Sequence, residues 1–184
     1  MNRRQTLGLM GTLLTTLALP RVSSATTARA VSLPDLVARS SRILHGTPLE
    51  GFSRFEDVGN TRHIVTYTRV RVDDLFSGTP GESEILVRTL GGRVEHLGEI
   101  VHGEAVLALN EGCVVFLHTS PEGIDEVTEM AQGHYPVLSD ASGTARVRAS
   151  RNLPRLMGNP EAAVAKLSGL ELSAARSLIL GARR

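Results

Sequence analysis

RHIVTYTRVRVDDLF, residues 62–76, is the strongest β-type run in the chain, and its reading decides the fold class. Ile64, Thr66, Thr68, Val70 and Val72 fall on one parity and are all β-branched, so the period is two and one face turns inward. SGTPGE, residues 77–82, breaks the run with glycine and proline. Beyond it SEILVRTL, residues 83–90, alternates Ile85 and Val87 against Leu86 and Arg88 and reads as a neighbouring strand.

Upstream, EDVGN (56–60) is a turn cluster, preceded by a strand over residues 42–49 in which Gly46 and Pro48 point to a bulge or an edge. Downstream, Asn110-Glu111-Gly112 turns the chain into CVVFL (113–117), apolar on both parities and therefore buried on both faces. SPEG (120–123) is a turn, IDEVTEMAQGHYPVLS (124–139) a fifth strand interrupted at Gly133, and DASGT (140–144) leads into the short strand ARVRAS (145–150).

Helical spacing flanks this β region. Ser32 caps a short helix over residues 34–40, with Pro34 and Asp35 in the first turn and Leu33, Leu36 and Val37 on one face. Near the other end, NPEAAVAKL (159–167) has Asn159 as N-cap, Pro160 at the first helical position and Glu161 in the first turn. LELSAARSLI (170–179) resumes the helical pattern and runs out at Gly181. Five short strands with turns between them predict a mainly β fold, a small closed or nearly closed β-barrel, with a β-sandwich as the alternative. Few connections are long enough for helical crossovers, which argues against a parallel α/β sheet.

The expected organisation is a signal peptide over residues 1–30, a β-barrel domain over 31–140 and a C-terminal extension with helices over 141–184. Asn2-Arg3-Arg4-Gln5, the apolar run LGLMGTLLTTLAL (7–19), Pro20 and the small-residue stretch RVSSATTARA (21–30) have the layout of an export signal. Thirteen helical residues reach about 20 Å, short of the ~30 Å hydrocarbon core, so no transmembrane anchor is expected. Arg3-Arg4 with Leu7 resembles a twin-arginine signal, although Thr6 and Gly8 depart from its usual aromatic and lysine positions. General secretion is the other route, and periplasmic and extracellular destinations stay open. Cleavage fits after Ala25 or Ala30, with the second site expected.

Cys113 is the sole cysteine, so no intramolecular disulfide forms. In its apolar run the thiol reads as a small buried side chain. The net charge of +1 conceals a division, because residues 31–140 carry 8 basic and 17 acidic residues whereas 141–184 carry 8 basic and 2 acidic. An acidic body argues against nucleic acid as a partner.

A short helix, a strand ending at Gly46, TYTRVRVDDLFSG (66–78), EILVRTLGG (84–92), a Gly-rich loop, GCVVFL (112–117) and EMAQGHYPV (129–137) follow one another in a recognisable order. That order resembles a group of small exported bacterial proteins of unassigned activity. The strand, V-x-x-L-F-S-G turn, strand, loop and apolar strand are also similar in layout to the netrin-like OB fold of tissue inhibitors of metalloproteinases. The resemblance covers residues 33–137 and implies a five-stranded OB-like barrel. Those inhibitors act through an N-terminal cysteine and several disulfides. Neither Thr26 nor Val31, the two candidate mature termini, is a cysteine, so no functional residue carries over.

RTLGGRVEHLGEIVHGEA, residues 88–105, is the stretch richest in candidate chemistry. Its glycines at 91, 92, 98 and 103 match neither G-x-G-x-x-G nor G-x-x-x-x-G-K-[ST], and the only lysine is Lys166, so no nucleotide site is expected. His96 and His102 share a parity, with Glu95, Glu99 and Glu104 as oxygen donors nearby, which is the one pattern that suggests a metal. On an extended strand the two histidines stand about 20 Å apart, so they share an ion only if the loop folds at Gly98.

His45, His63, His118 and His134 sit near strand ends. Asp73-Asp74 and Asp125-Glu126 point to opposite faces, and no G-x-S-x-G elbow is present. The reading is a non-catalytic exported β-barrel module that contacts a protein or an envelope component, with no catalytic residue, metal or cofactor expected. A metal-binding protein or hydrolase using His96 and His102, and a protease-inhibitor-like module, are the alternatives.

Overall fold

The structure, a computed structural model, describes residues 27–158 and 161–183. The elements in chain order are β1 (Thr27–Arg29), α1 (Leu33–Ala38), β2 (Arg42–Val58), β3 (Thr61–Ser77), β4 (Glu84–Leu90), β5 (Gly92–Val94), β6 (Leu97–Glu99), β7 (Cys113–Thr119), β8 (Asp125–Val127), β9 (His134–Ser139), β10 (Ala145–Val147), β11 (Arg155–Met157), α2 (Ala163–Leu167) and α3 (Leu172–Gly181). The protein is mainly β.

Its spine is the hairpin of β2 and β3, each 17 residues long, paired from Ile43↔Ser77 to Val58↔Thr61. β2 therefore runs well past the expected end at residue 49. The register slips between Ile43 and Leu44, His45 and Gly46, and Pro48 and Glu50, so Gly46 and Pro48 mark bulges that bend the strand without ending it. A Cβ at Gly46 would stand 2.5 Å from the Arg71 carbonyl, which explains the glycine there.

Seven strands pair in the order β10-β9-β7-β2-β3-β4-β8, and β7 also pairs with β8. The path β7-β2-β3-β4-β8 thus returns to β7. The link that makes this possible is parallel, Val87↔Asp125 and Arg88↔Glu126, while every other pairing on the path is antiparallel. The expected fifth strand is two strands. β8 bridges β4 and β7, a 3-10 turn over Met130–Gly133 redirects the chain, and β9 pairs with the opposite end of β7. β5 and β6 form a small hairpin, and β1 lies parallel to β11.

β7 serves two cores by alternation. Cys113, Val115 and Leu117 join Leu44, Val70 and Val87 inside the ring of strands, whereas Val114 and Phe116 join Leu36, Leu167 and Ile179 under the helices. β10 extends the main sheet, and α2 and α3 complete the second core, so these three elements pack directly on the body. Ser32 caps α1 as expected, its Oγ accepting from the Asp35 amide at 3.2 Å.

α2 starts three residues later than the sequence pattern places it. Asn159 and Pro160 lie outside the described residues, and the N-cap is Ala162, which is extended and bridges Ser32. The first helical amide, Ala163 N, donates to Val31 O at 2.8 Å, so the N-terminal segment takes the place of a capping side chain. The expected signal segment, residues 1–26, lies outside the described residues.

Candidate functional site

One parity of β3 carries Val72 and Val70 into the ring and then changes chemistry, to Thr68 and Thr66. β4 does the same, with Ile85 and Val87 followed by Thr89. The ring is therefore aliphatic at one end and hydroxyl-lined at the other. At the hydroxyl end the chain must turn tightly, and Gly91 and Gly92 make the turn with φ of 89° and 136°. Gly91 N donates to Ile64 O at 2.7 Å, and Thr66 Oγ1 donates to Gly91 O at 2.7 Å. A Cβ on Gly92 would lie 2.3 Å from Thr66 Oγ1 and 2.5 Å from Ser53 Oγ, so this turn closes over a hydroxyl pair that only glycine clears.

After the β5–β6 hairpin, residues 100–112 cross back over the ring. Ala105 and Leu107 drop into its core, while Ile100 and Val106 stay 81% and 57% exposed. Between this crossing and the strands lies a cavity of about 380 Å³. Thr66, Thr68 and Thr89 form its floor, Glu104 one wall, and Ile100 and Val106 its rim.

Glu104 is buried at 7% exposure. One carboxylate oxygen, Oε1, accepts from Ala105 N at 2.9 Å, and the Leu90 amide also donates to the carboxylate. Burial raises its pKa against the pull of these two amides, and Glu126 adds like charge. A second cavity of about 230 Å³ lies on its other side. There Arg88, 7% exposed in its side chain, bonds Glu126 Oε1 at 2.5 and 2.8 Å and Glu56 Oε1 at 2.5 Å. His118 Nε2 stands 3.3 Å from Glu126 Oε2. Arg88 is thus fully engaged, and no ion pair reaches Glu104 among the described residues.

The residues of the metal pattern diverge. The loop does fold, but at Glu95 and His96 rather than Gly98, which leaves His96 at the hairpin tip with its side chain 83% exposed. His102 sits exposed in a separate turn. Glu99 turns to β3, accepting from Ile64 N at 2.6 Å and meeting His63 Nδ1 at 2.6 Å, and these bonds hold its pKa below the usual value. Among the described residues, no three His, Cys, Asp or Glu side chains group as a metal site.

A smaller cavity of about 130 Å³ borders Cys113, His134 and Ser150. Burial pushes the thiol up to about 12 and the imidazole down to about 4, which leaves a protonated sulfur beside a weak base. His134 Nδ1 and Ser150 Oγ are 3.1 Å apart, and no carboxylate orients the pair among the described residues. The arrangement lacks the third member that a serine nucleophile needs.

Glu104 and Arg88 are the two residues that sequence reasoning undervalued. Arg88 carried one hint, a charge inside an otherwise apolar strand. Glu104 stood only as an oxygen donor in the metal pattern, with nothing to mark it as buried. No protein-family model matches the chain, and no curated protein matches it. No helix among the described residues is long and apolar enough to cross a membrane, and a single cysteine permits no intramolecular disulfide.

Proposed function

We propose that this chain is an exported, OB-like β-barrel that acts as a non-catalytic binding module, receiving a group of a protein or envelope partner at the mouth of the barrel. The observation that carries the reading is the cavity of about 380 Å³, polar on its floor and apolar at its rim, at the open end of the strand ring. Its size suits a side chain or small molecule. The five-strand path with one parallel link supports the barrel and a netrin-like layout.

Export is supported by the basic, apolar and small-residue sequence of residues 1–30. The surroundings of Ala30 favour cleavage after Ala25 over the later site. β1 begins at Thr27, and Gln132 bridges the two sides of Ala30, donating from Nε2 to Arg29 O and accepting from Val31 N, both at 3.0 Å. A cut after Ala30 removes β1 and leaves that buried amide half satisfied.

Backbone-amide NMR with a panel of small amphiphiles tests the site. Shifts are expected at residues 66–68, 89–92 and 99–107. Shifts confined to the helices, or to the cavity beside Cys113, overturn the reading.

A further inference from the structure

We infer that the mouth is selective for an alkylammonium group, the cation resting on Glu104 and its alkyl chain lying against Ile100 and Val106. This rests on the reading of the mouth as a binding site. A buried carboxylate is expected to meet a cation or a full set of donors. Two backbone amides use about half of the four acceptor positions of the Glu104 carboxylate. The nearest buried guanidinium, Arg88, is held by Glu56 and Glu126, and no Arg, Lys or His pairs with Glu104 among the described residues.

The surroundings repeat the preference. Glu126 adds negative charge from behind, Glu99 lines the same cavity, and the floor consists of threonine hydroxyls, which accept as well as donate. An anion entering here meets two carboxylates and no free cationic side chain. A neutral alcohol gains the rim and one O–H bond to the carboxylate, but no ion pair. An ammonium gains the rim and the ion pair, and an alkyl chain of several carbons has the exposed Ile100 and Val106 to cover. The group fits equally a free amine or the side chain of a lysine, which is itself an alkylammonium.

The test compares hexylammonium, 1-hexanol, hexanoate and a capped lysine (Nα-acetyl-lysine methylamide) by amide NMR titration of the mature protein at low salt and pH 8. Hexylammonium is expected to bind about tenfold more tightly than hexanol, and hexanoate most weakly. In Glu104→Gln the amine advantage over hexanol shrinks to about threefold or less, while amide shifts away from the mouth that match the parent report that the variant is folded. Capped lysine binding with the same Glu104 dependence assigns the site to a lysine side chain, and hexylammonium binding alone assigns it to a free amine. Equal affinity for amine and alcohol, or an amine advantage that survives Glu104→Gln, overturns the inference and leaves the mouth as a neutral site. If no probe moves the mouth amides, the binding-site reading fails as well.

Discussion

His134 shows how one buried side chain ties this fold to pH. Burial lowers its pKa from 6.5 to about 4, so between those values the unfolded chain takes up a proton that the folded chain refuses. Stability therefore falls as pH drops through 6.5 and levels off below about 4. From pH 7 to pH 5 this residue alone removes about 2 kcal/mol. His45, also lowered by burial despite Asp73 and Asp74, acts in the same direction. Urea unfolding at the two pH values checks the point, since His134→Asn is expected to lose about 2 kcal/mol less than the parent. An unchanged difference rules out His134 as the source. At Gly92 the cost is steric and independent of pH. Gly92→Ala places a methyl against Thr66 and Ser53 at a left-handed φ, and is expected to lower the unfolding free energy by about 2 kcal/mol or more.

Arg88 acts at the scale of elements. It sits on β4, pairs with Tyr67 across β3, and binds Glu56 from the β2 tip and Glu126 from β8, so one guanidinium ties four strands where the ring closes. Arg88→Met leaves two carboxylates facing each other and is expected to cost about 3 kcal/mol in chemical denaturation. Adding Glu126→Gln should recover part of that loss. Strict additivity of the two changes excludes the network. The element pattern around this residue was largely legible. β3, β4, β7 and α1 follow from periodicity and turn residues, because each buries a face set by its own sequence. The extension of β2, the division between β8 and β9, and the late start of α2 were not legible. Each depends on a partner distant in sequence: β3 for β2, β4 and β7 for β8, and Val31 for α2. Glu104 was legible only as a candidate metal oxygen donor and its burial was not, since that burial arises from the crossing of residues 100–112 over strands formed much earlier in the chain. His96 and His102 looked paired only because parity cannot locate a hairpin tip.

For the whole molecule, the N-terminal segment closes the fold. β1 pairs with β11, Ala30 N donates to Met157 O at 3.1 Å, and Val31 O receives the first amide of α2. Terminal sequencing of the protein recovered from its producing cells is expected to read Thr26 first if the proposed export signal is removed. A chain starting at Val31 is expected to be about 2 kcal/mol less stable, and a natural terminus at Val31 with no such penalty contradicts the role given to β1. The same packing sets the proposed binding mouth apart from the helices, at the end of β3 away from Asp74, which meets Arg176 of α3. The most direct test of the binding claim is therefore positional. A photoreactive amino acid is placed at Ile100 on the mouth or at Leu178 on α3, and the protein is irradiated in its producing cells, purified and weighed by mass spectrometry. A discrete adduct is expected at position 100 and none at 178. No adduct at 100, or the same adducts at both positions, contradicts the binding claim.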